Sequence, residues 1–592
     1  MNHHEGEVLR VANCSGFFGD RLSAAAEMVE GGPLDVLTGD WLAELTMGVL
    51  AKQRRRDPAS GYAPTFLRQM EQVLGPCLDR GIKIVSNAGG LNPTGCATAV
   101  EQLAGRLGLS VRVACVTGDE VTERFQELRR DGWPASHLDT GEPFGSLEPE
   151  VVNAYLGCWG IAEALEAGAD VVVTGRVSDA SLIVGPAAWR FGWSRGAWDA
   201  LAGAVAAGHV IECGAQATGG NYAFFEELSG AERCGFPLAE IAPDGSAVIA
   251  KHPGTGGAVT VETVTAQLLY EIEGPRYLNP DVVARFDTLA LEQAGPDRVR
   301  MTGARGEPAP TRLKVGAVCT AGWRNQVTFV LTGLDVEAKA ELAERALWAG
   351  IPGGRGAYED VDVRLLRADR PDPARRDDAV ALLRIAASTR ERGLARLLSR
   401  AAVETGLASY PGLYLTEPPD PGSEYAVFWP SLMPADDVRQ RVMLDGRSWL
   451  LGPSPATGDL SSPGDPPARP PATFPGGRTV RAPLGEVVGA RSGDKAGNAT
   501  LGVWARDDEA YAWLRGWLTE DRLRASLPEA AGCPLRRYEL PNLRAVGFTI
   551  VGLLGRGVGA NLALDAQAKG LGEYLRARHA EIPAALLDST AR

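Results

Sequence analysis

Three reactive side chains fall within five residues of one another: His209, Glu212 and Cys213. They open the segment GHVIECGAQATGGNYAF, Gly208 to Phe224, which also carries Gln216, Thr218 and Asn221 between glycines. An imidazole or carboxylate can serve as general base and a thiol as nucleophile, provided that a backbone turn presents them on one face. The blander alternative is a buried strand flanked by His209 and Glu212, with Cys213 as small apolar filler. A second glycine-rich run, KHPGTGGAVTVETV, places Lys251, His252 and Thr255 around a turn whose consecutive amides could cradle an anion. An ordinary tight connection has the same composition.

Such groups need a scaffold, and the first part of the chain supplies one repeatedly. A short apolar run, a turn with Gly and a polar residue, and a helical period recur in VLRVANCSGFFGDRLSAAAEMVE, LDVLTGDWLAELTMGVL, IKIVSNAGGLNPTGCATAVEQLAGRL, VRVACVTGDEVTERFQEL and ADVVVTGRVSDASLIVG. This alternation predicts βα units and a mainly parallel sheet, an α/β class, with β-richer sequence from about Val261 to Leu334. Ligands of such sheets lie outside the carboxyl ends of the strands. The turns there carry Asp20 and Arg21, then Asp40, then Asn87 and Asn92, then Asp119, then Arg176 and Asp179. Each alone reads as a helix cap. A cap needs one polar residue per turn, and several of these turns hold two or three.

Other chemistries find no motif. The first turn is G-x-x-G rather than a dinucleotide fingerprint, and no phosphate-binding G-x-x-x-x-G-K-[ST] occurs. The run Gly192-Trp193-Ser194-Arg195-Gly196 matches a nucleophile elbow, but a helix-like segment stands where the motif needs a strand. The six histidines form no H-x-x-x-H or H-E-x-x-H, so no metal site is expected. Nine isolated cysteines without a C-x-x-C pair argue against a disulfide scaffold. A net charge of −14 disfavours nucleic acid as partner. No apolar run is long enough to span a membrane, and the opening residues lack a secretory pattern, so a cytoplasmic protein without membrane association is expected. The large size and many buried turns are compatible with a homo-oligomer.

The division expected from composition is a large lobe over 1–451, a Pro- and Gly-rich linker over 452–477 (GPSPATGDLSSPGDPPARPPATFPGG), and a small α+β domain over 478–592. The last reads as two strands, helix, two strands, helix, a ferredoxin-like sandwich. Its segment Arg491-Ser-Gly-Asp-Lys495 supplies two cations, and Leu554-Gly-Arg-Gly-Val-Gly-Ala-Asn561 could bind an anion through backbone amides.

The runs VANCSGFFGDRLSAAAEMVE, SNAGGLNP, VTGDEV, GRVSDAS, GHVIECGAQATGGN, KHPGTGG, QLLYEI and MTGARGEPAP, in this order, resemble the acyclic terpene utilisation protein AtuA family. Likewise GARSGDKAGNATLGVWAR, RYELPNL and LLGRGVGANLALDAQAKGL resemble the AtuA-like ferredoxin-fold domain found behind it. The resemblance implies a context of branched acyl-CoA intermediates. The expected function is therefore a cytosolic lyase, either a hydratase/dehydratase or a carbon–carbon lyase, acting on a branched or terpenoid-like acyl thioester or carboxylate. A small-molecule substrate is expected and no cofactor, coenzyme A entering only as part of a thioester. The competing class is a non-catalytic binding or assembly protein of an acyl-CoA or natural-product pathway. On the enzyme reading Glu212 or His209 is the acid/base, with Asp179 as orienting carboxylate and Cys213 as a further catalytic candidate. Substrate contacts are expected from Asp20, Arg21, Asn87, Asn92, Asp119 and Arg176 on the turns. Asn221, Lys251, His252 and Thr255 would add to them from the glycine-rich segments, and Arg491 and Lys495 from the small domain, if that domain folds over the strand ends.

Overall fold

The computed structural model describes residues 8–454 and 477–590; of the expected linker, 455–476 lie outside the described residues. Its main sheet has eleven strands: β1 (Leu9–Asn13), β2 (Val36–Gly39), β3 (Lys83–Ser86), β4 (Val113–Thr117), β5 (Val171–Thr174), β6 (Pro237–Ile241), β7 (Ala247–Lys251), β8 (Ala290–Gly295), β9 (Arg298–Thr302), β10 (Gln440–Leu444) and β11 (Arg447–Leu451). They lie in the order β8-β9-β7-β6-β1-β2-β3-β5-β4-β10-β11. The five strands from β1 across to β4 pair in parallel. Their runs are buried at all but one residue each at most, and throughout in VVVT of β5, as expected when helices cover both faces of a sheet. Antiparallel strands extend this core on both sides.

The turns of the parallel strands are shaped by backbone contact. A Cβ on Gly175, just past β5, would stand 2.4 Å from the Asp119 carboxylate, and one on Gly16 would stand 2.6 Å from the backbone of Cys213. Glycine is the side chain that admits these approaches. The helix Trp198–Ile211 is buried at every residue from Leu201 to Ile211, because its run of Ala, Gly and Val has no polar face to turn outward. His209 and Glu212 therefore sit at a helix end, not at the flanks of a strand; small residues that let the helix approach Ala180 and Gly245 closely explain the difference.

After the linker, Val488–Lys495, Asn498–Ala505, Ala545–Ile550 and Leu535–Leu540 form an antiparallel four-stranded sheet in that order. Helices Asp508–Trp517, Glu520–Ser526 and Leu571–Ala577 accompany it, the two-strand, helix, two-strand, helix pattern with one helix divided. Contacts divide the described residues into two compact units. One takes in Met1–Ala317, Trp429–Leu553 and Gln567–Arg592, so the parallel sheet and this small sheet belong together; the other takes in Val318–Phe428 and Leu554–Ala566.

Within the second unit, strands Asp360–Arg367 and Val380–Thr389 and helices Val336–Ala349 and Arg392–Glu404 pack around Phe329, Leu383 and Leu398. The glycine-rich loop meets arginines there through its carbonyls: Arg324 donates to Gly559 O at 2.9 Å and Arg384 to Leu562 O at 2.8 Å. Carbonyl oxygens turned to guanidinium groups are the reverse of an amide cradle for an anion.

One face of the parallel sheet rests on a core centred on Phe66, fully buried and edge-on to Trp41 at 5.2 Å. Phe66→Ala should cost about 3–5 kcal/mol, since a rigid neighbourhood leaves a cavity. The measurement is the urea-unfolding midpoint against wild type.

Candidate functional site

The strand-end turns are tied to one another by buried polar groups. Asn13 accepts from Ser15 N at 2.8 Å and donates to the carbonyls of Ile211 and Glu212, so the first turn holds the end of the long helix. Asn87 accepts from Trp41 N at 2.8 Å and donates to Asp40. Burial, with the charge of Asp179, pushes Asp40 well above the usual carboxylate range. Asp119 accepts from Arg176 N at 2.8 Å and from Asn153 Nδ2 at 2.7 Å, and burial raises its pKa to about 6. The Arg176 guanidinium pairs with Asp179 at 2.5 Å and lies 4.3 Å from the centre of the Tyr155 ring. The second to fifth turns thus meet around Arg176.

Three residues separate His209 from Glu212, one helical turn, which sets His209 Nδ1 3.1 Å from Glu212 Oε1. The imidazole packs against Tyr277 and Phe286, ring centres at 4.8 and 5.5 Å. Burial, reinforced by Asp179, holds Glu212 protonated well above its ordinary range, while burial, reinforced by Lys495, lowers His209 to about 4. At neutral pH the carboxyl therefore donates to an uncharged imidazole, and the pair carries no net charge. His209 Nε2 and Glu212 Oε2 are buried without a partner among the described residues. Cys213 follows directly. Burial and then Glu212 push its pKa up, so it is a thiol rather than an activated thiolate.

Beside this pair opens a cavity of about 250 Å³. Its polar lining includes Tyr155, Asp179, Glu271, Tyr277, Lys314 and Lys495, and its apolar lining Leu138, Pro280, Pro310, Leu313, Pro430 and Leu432. Tyr277 is shared: it lines the cavity and touches His209. Burial and Glu212 raise its phenol, keeping it a neutral donor. Glu271 is held at φ 55°, the left-handed region that side chains other than glycine avoid, and its carboxylate lies 3.4 Å from Lys569 Nζ. Lys314 pairs with Glu44 at 3.0 Å. Lys495 makes no side-chain hydrogen bond or ion pair to another described residue. Burial and the neighbouring Lys314 oppose its charge, but its pKa is raised on balance, with Glu271 and Glu44 supplying negative charge nearby, so it stays an ammonium.

Of the residues expected from sequence, Asp179 and Lys495 line this cavity. Glu212 and His209 lie behind Tyr277, while Arg176, Asp40, Asn87 and Asp119 belong to the linked polar groups of the turns and do not line the cavity. Arg491 belongs to the strand Val488–Lys495 rather than to a loop. Its guanidinium donates to Asn221 O at 2.9 Å and to Gln216 Oε1, stacked 4.6 Å from Tyr270, which leaves it engaged in pinning the glycine-rich turn. Asp20 accepts from Gly16 N at 2.9 Å, and Arg21 donates to Glu27 and to Cys234 O. Asn92 caps a helix through Gly95 N at 2.9 Å. Lys251 donates to Thr255 O at 2.7 Å and pairs with Asp297 at 3.1 Å, while His252 Nε2 meets Met28 O at 2.9 Å. None of these six, nor Asn221 or Thr255, lines the cavity. Ser194 follows a helix, not a strand, so the elbow is absent. Among the described residues no cluster of His, Cys, Asp and Glu could hold a metal ion, and no helix is long and apolar enough to cross a membrane.

Sequence reading passed over Tyr155, Glu271, Tyr277, Lys314 and Glu44. The signal for two of them was present: Lys314 is a cation inside the apolar strand run TRLKVGAV, and Glu271 and Glu273 alternate in YEIEGP.

The depressed imidazole has a consequence for stability. With a folded pKa near 4 against an ordinary 6.5, the unfolded chain takes up the proton first as pH falls. The contribution is full above pH 6.5 and is lost progressively towards pH 4, about 3 kcal/mol in all. His209→Gln should flatten that part of the acid branch, seen as a shrinking difference between wild type and variant in urea unfolding from pH 7 to pH 4.

The sequence pattern of the acyclic terpene utilisation family protein AtuA matches residues 9–444, and that of the AtuA ferredoxin-like domain matches residues 482–581. No curated protein and no solved structure matches the chain. The first match spans most of the chain and contains the βα turns and the Glu212–His209 pair, and the second contains Lys495. The chain belongs to the acyclic terpene utilisation family AtuA.

Proposed function

We propose that this chain is a lyase working by acid/base chemistry, a hydratase/dehydratase or carbon–carbon lyase, on a branched or terpenoid-like acyl thioester or carboxylate. The observation that carries the reading is one cavity lined by a carboxylate, Asp179, an unpaired ammonium, Lys495, and apolar side chains. The apolar lining suits a branched hydrocarbon chain, and the volume is at the small end for a small-molecule site. It holds a short acyl group, and the nucleotide end of a coenzyme A thioester would remain outside.

Each polar group has a role in this reading. Asp179, oriented by Arg176 at 2.5 Å, takes the proton from the carbon next to the carbonyl. The Lys495 ammonium faces the oxygen that gains negative charge as the enolate forms, where a fixed charge in a dry site acts strongly. The neutral Tyr277 phenol gives a proton to the departing hydroxyl in a dehydration, and the proton held by Asp179 restores the balance once product leaves. In carbon–carbon cleavage Asp179 takes a hydroxyl proton instead, and Lys495 stabilises the enolate fragment. The Glu212–His209 pair lies behind Tyr277, and burial keeps the phenol from ionising.

The test is incubation of purified protein with branched acyl-CoA thioesters and the matching free acids, followed by mass spectrometry in H2O and D2O. At least one substrate should turn over or exchange its α-proton. Asp179→Asn and Lys495→Met should each lower kcat/KM by about 10²–10⁴-fold while melting as wild type does. Binding of substrates without turnover or exchange would establish a binding protein instead, and full activity in both variants would refute the roles given to Asp179 and Lys495.

A further inference from the structure

The cavity draws its two lysines from distant parts of the chain, Lys314 from the long strand Arg312–Thr332 and Lys495 from the end of Val488–Lys495. One side chain touches both places. Glu44, the first residue of the helix Glu44–Arg56, accepts from Lys314 Nζ through Oε1 at 3.0 Å and from the backbone N–H of Ala496 through Oε2 at 3.0 Å. Ala496 also lines the cavity.

The Ala496 contact falls where the backbone is least at ease. Val488–Lys495 and Asn498–Ala505 are paired up to Lys495 and Asn498, so the connection is the two-residue turn Ala496-Gly497. Two-residue hairpins require a positive φ in the turn, and Ala496 adopts it at 53° with a Cβ to accommodate. A residue held in this region persists when its surroundings over-determine it. Here they do: Ala496 is buried at 3% exposure, and its amide is directed at a carboxylate whose other oxygen is already committed.

We propose that Glu44 is the positioning residue that completes the site: one carboxylate fixes Lys314 in the cavity wall and, through the Ala496 amide, seats the C-terminal hairpin so that Lys495 faces the same cavity. The role assigned to Lys495 rests on the lyase reading above; the seating of the hairpin does not. Glutamine separates the two functions of Glu44. It keeps an oxygen for the Ala496 N–H but offers Lys314 no charge, whereas alanine removes both.

The experiment uses the full chain under native conditions with two readouts that need no substrate. Trypsin cleavage after Lys495 and backbone hydrogen exchange over 488–498 are followed by mass spectrometry in wild type, Glu44→Gln, Glu44→Ala and Lys314→Met. Glu44→Ala should speed cleavage after Lys495 at least tenfold and raise exchange in the hairpin, with β1 and β3 unchanged. Glu44→Gln and Lys314→Met should stay within about threefold of wild type. If a substrate is turned over, Glu44→Ala should lower kcat at least tenfold with KM within threefold, and Glu44→Gln should keep kcat within threefold of wild type. Hairpin protection equal to wild type in Glu44→Ala, or exchange rising evenly across the chain, would overturn the seating role; if Glu44→Ala does not fold, a tenfold or greater loss of hairpin protection in both Glu44→Gln, which keeps the acceptor, and Lys314→Met would do so. Normal seating with no turnover of any substrate would leave the positioning in place and refute the lyase reading alone.

Discussion

Arg176 retains 4% of its surface, and a guanidinium that cannot be deprotonated must find every compensation inside the protein. Asp179 supplies the counter-charge, the Tyr155 ring covers one face, and Asp40 lies within electrostatic range. The backbone N–H of the same residue is taken by Asp119, which is in turn bound by Asn153. These groups come from four different strand ends, and they must remain adjacent for the charge to stay buried. The parallel sheet can be regarded as the frame that holds these carboxylates and one cation at fixed separation. Asp179 then presents its remaining capacity to the cavity without being free to move.

The same scarcity of solvent sets the protonation states nearby. Asp40, Glu212 and Cys213 are all driven towards their neutral forms and His209 away from its charged one. Charge is retained where geometry compensates it, at Arg176 with Asp179 and at Lys314 with Glu44. Lys495 is different. It keeps its ammonium through neighbours at longer range and has no ion-pair partner among the described residues, which is the condition under which a cation can bind something else. A site of this kind separates a layer of neutralised groups from a surface on which a few charges are left to act.

The βα alternation was legible because its signal is local: apolar runs of four or five residues, a Gly-containing turn, then helical periodicity. So was the tendency of the turns to share a location, since a parallel sheet puts all its strand ends on one side. The antiparallel extensions of the sheet were not legible, because β10 and β11 join β4 from more than three hundred residues away. The cluster Lys251, His252 and Thr255 had the right composition for an anion site. Its cation is consumed by Asp297 and a backbone carbonyl, and composition does not record that. Arg491 and Lys495, four residues apart on one strand, looked equivalent in sequence; one stacks on Tyr270 and binds Gln216, the other lines the cavity.

What the sequence determined by itself was the class of fold, the family and the residue types gathered at the strand ends, all of which depend on short-range pattern and on motif order. Only the tertiary structure decided which of those groups lose their water, because burial is set by everything packed around a residue and not by its neighbours in the chain. That decision neutralised the Glu212–His209 pair and left Asp179 and Lys495 facing the cavity. It also brought Glu44, on a helix near the start, against Lys314 and Ala496 near the other end, a contact for which no local spacing exists.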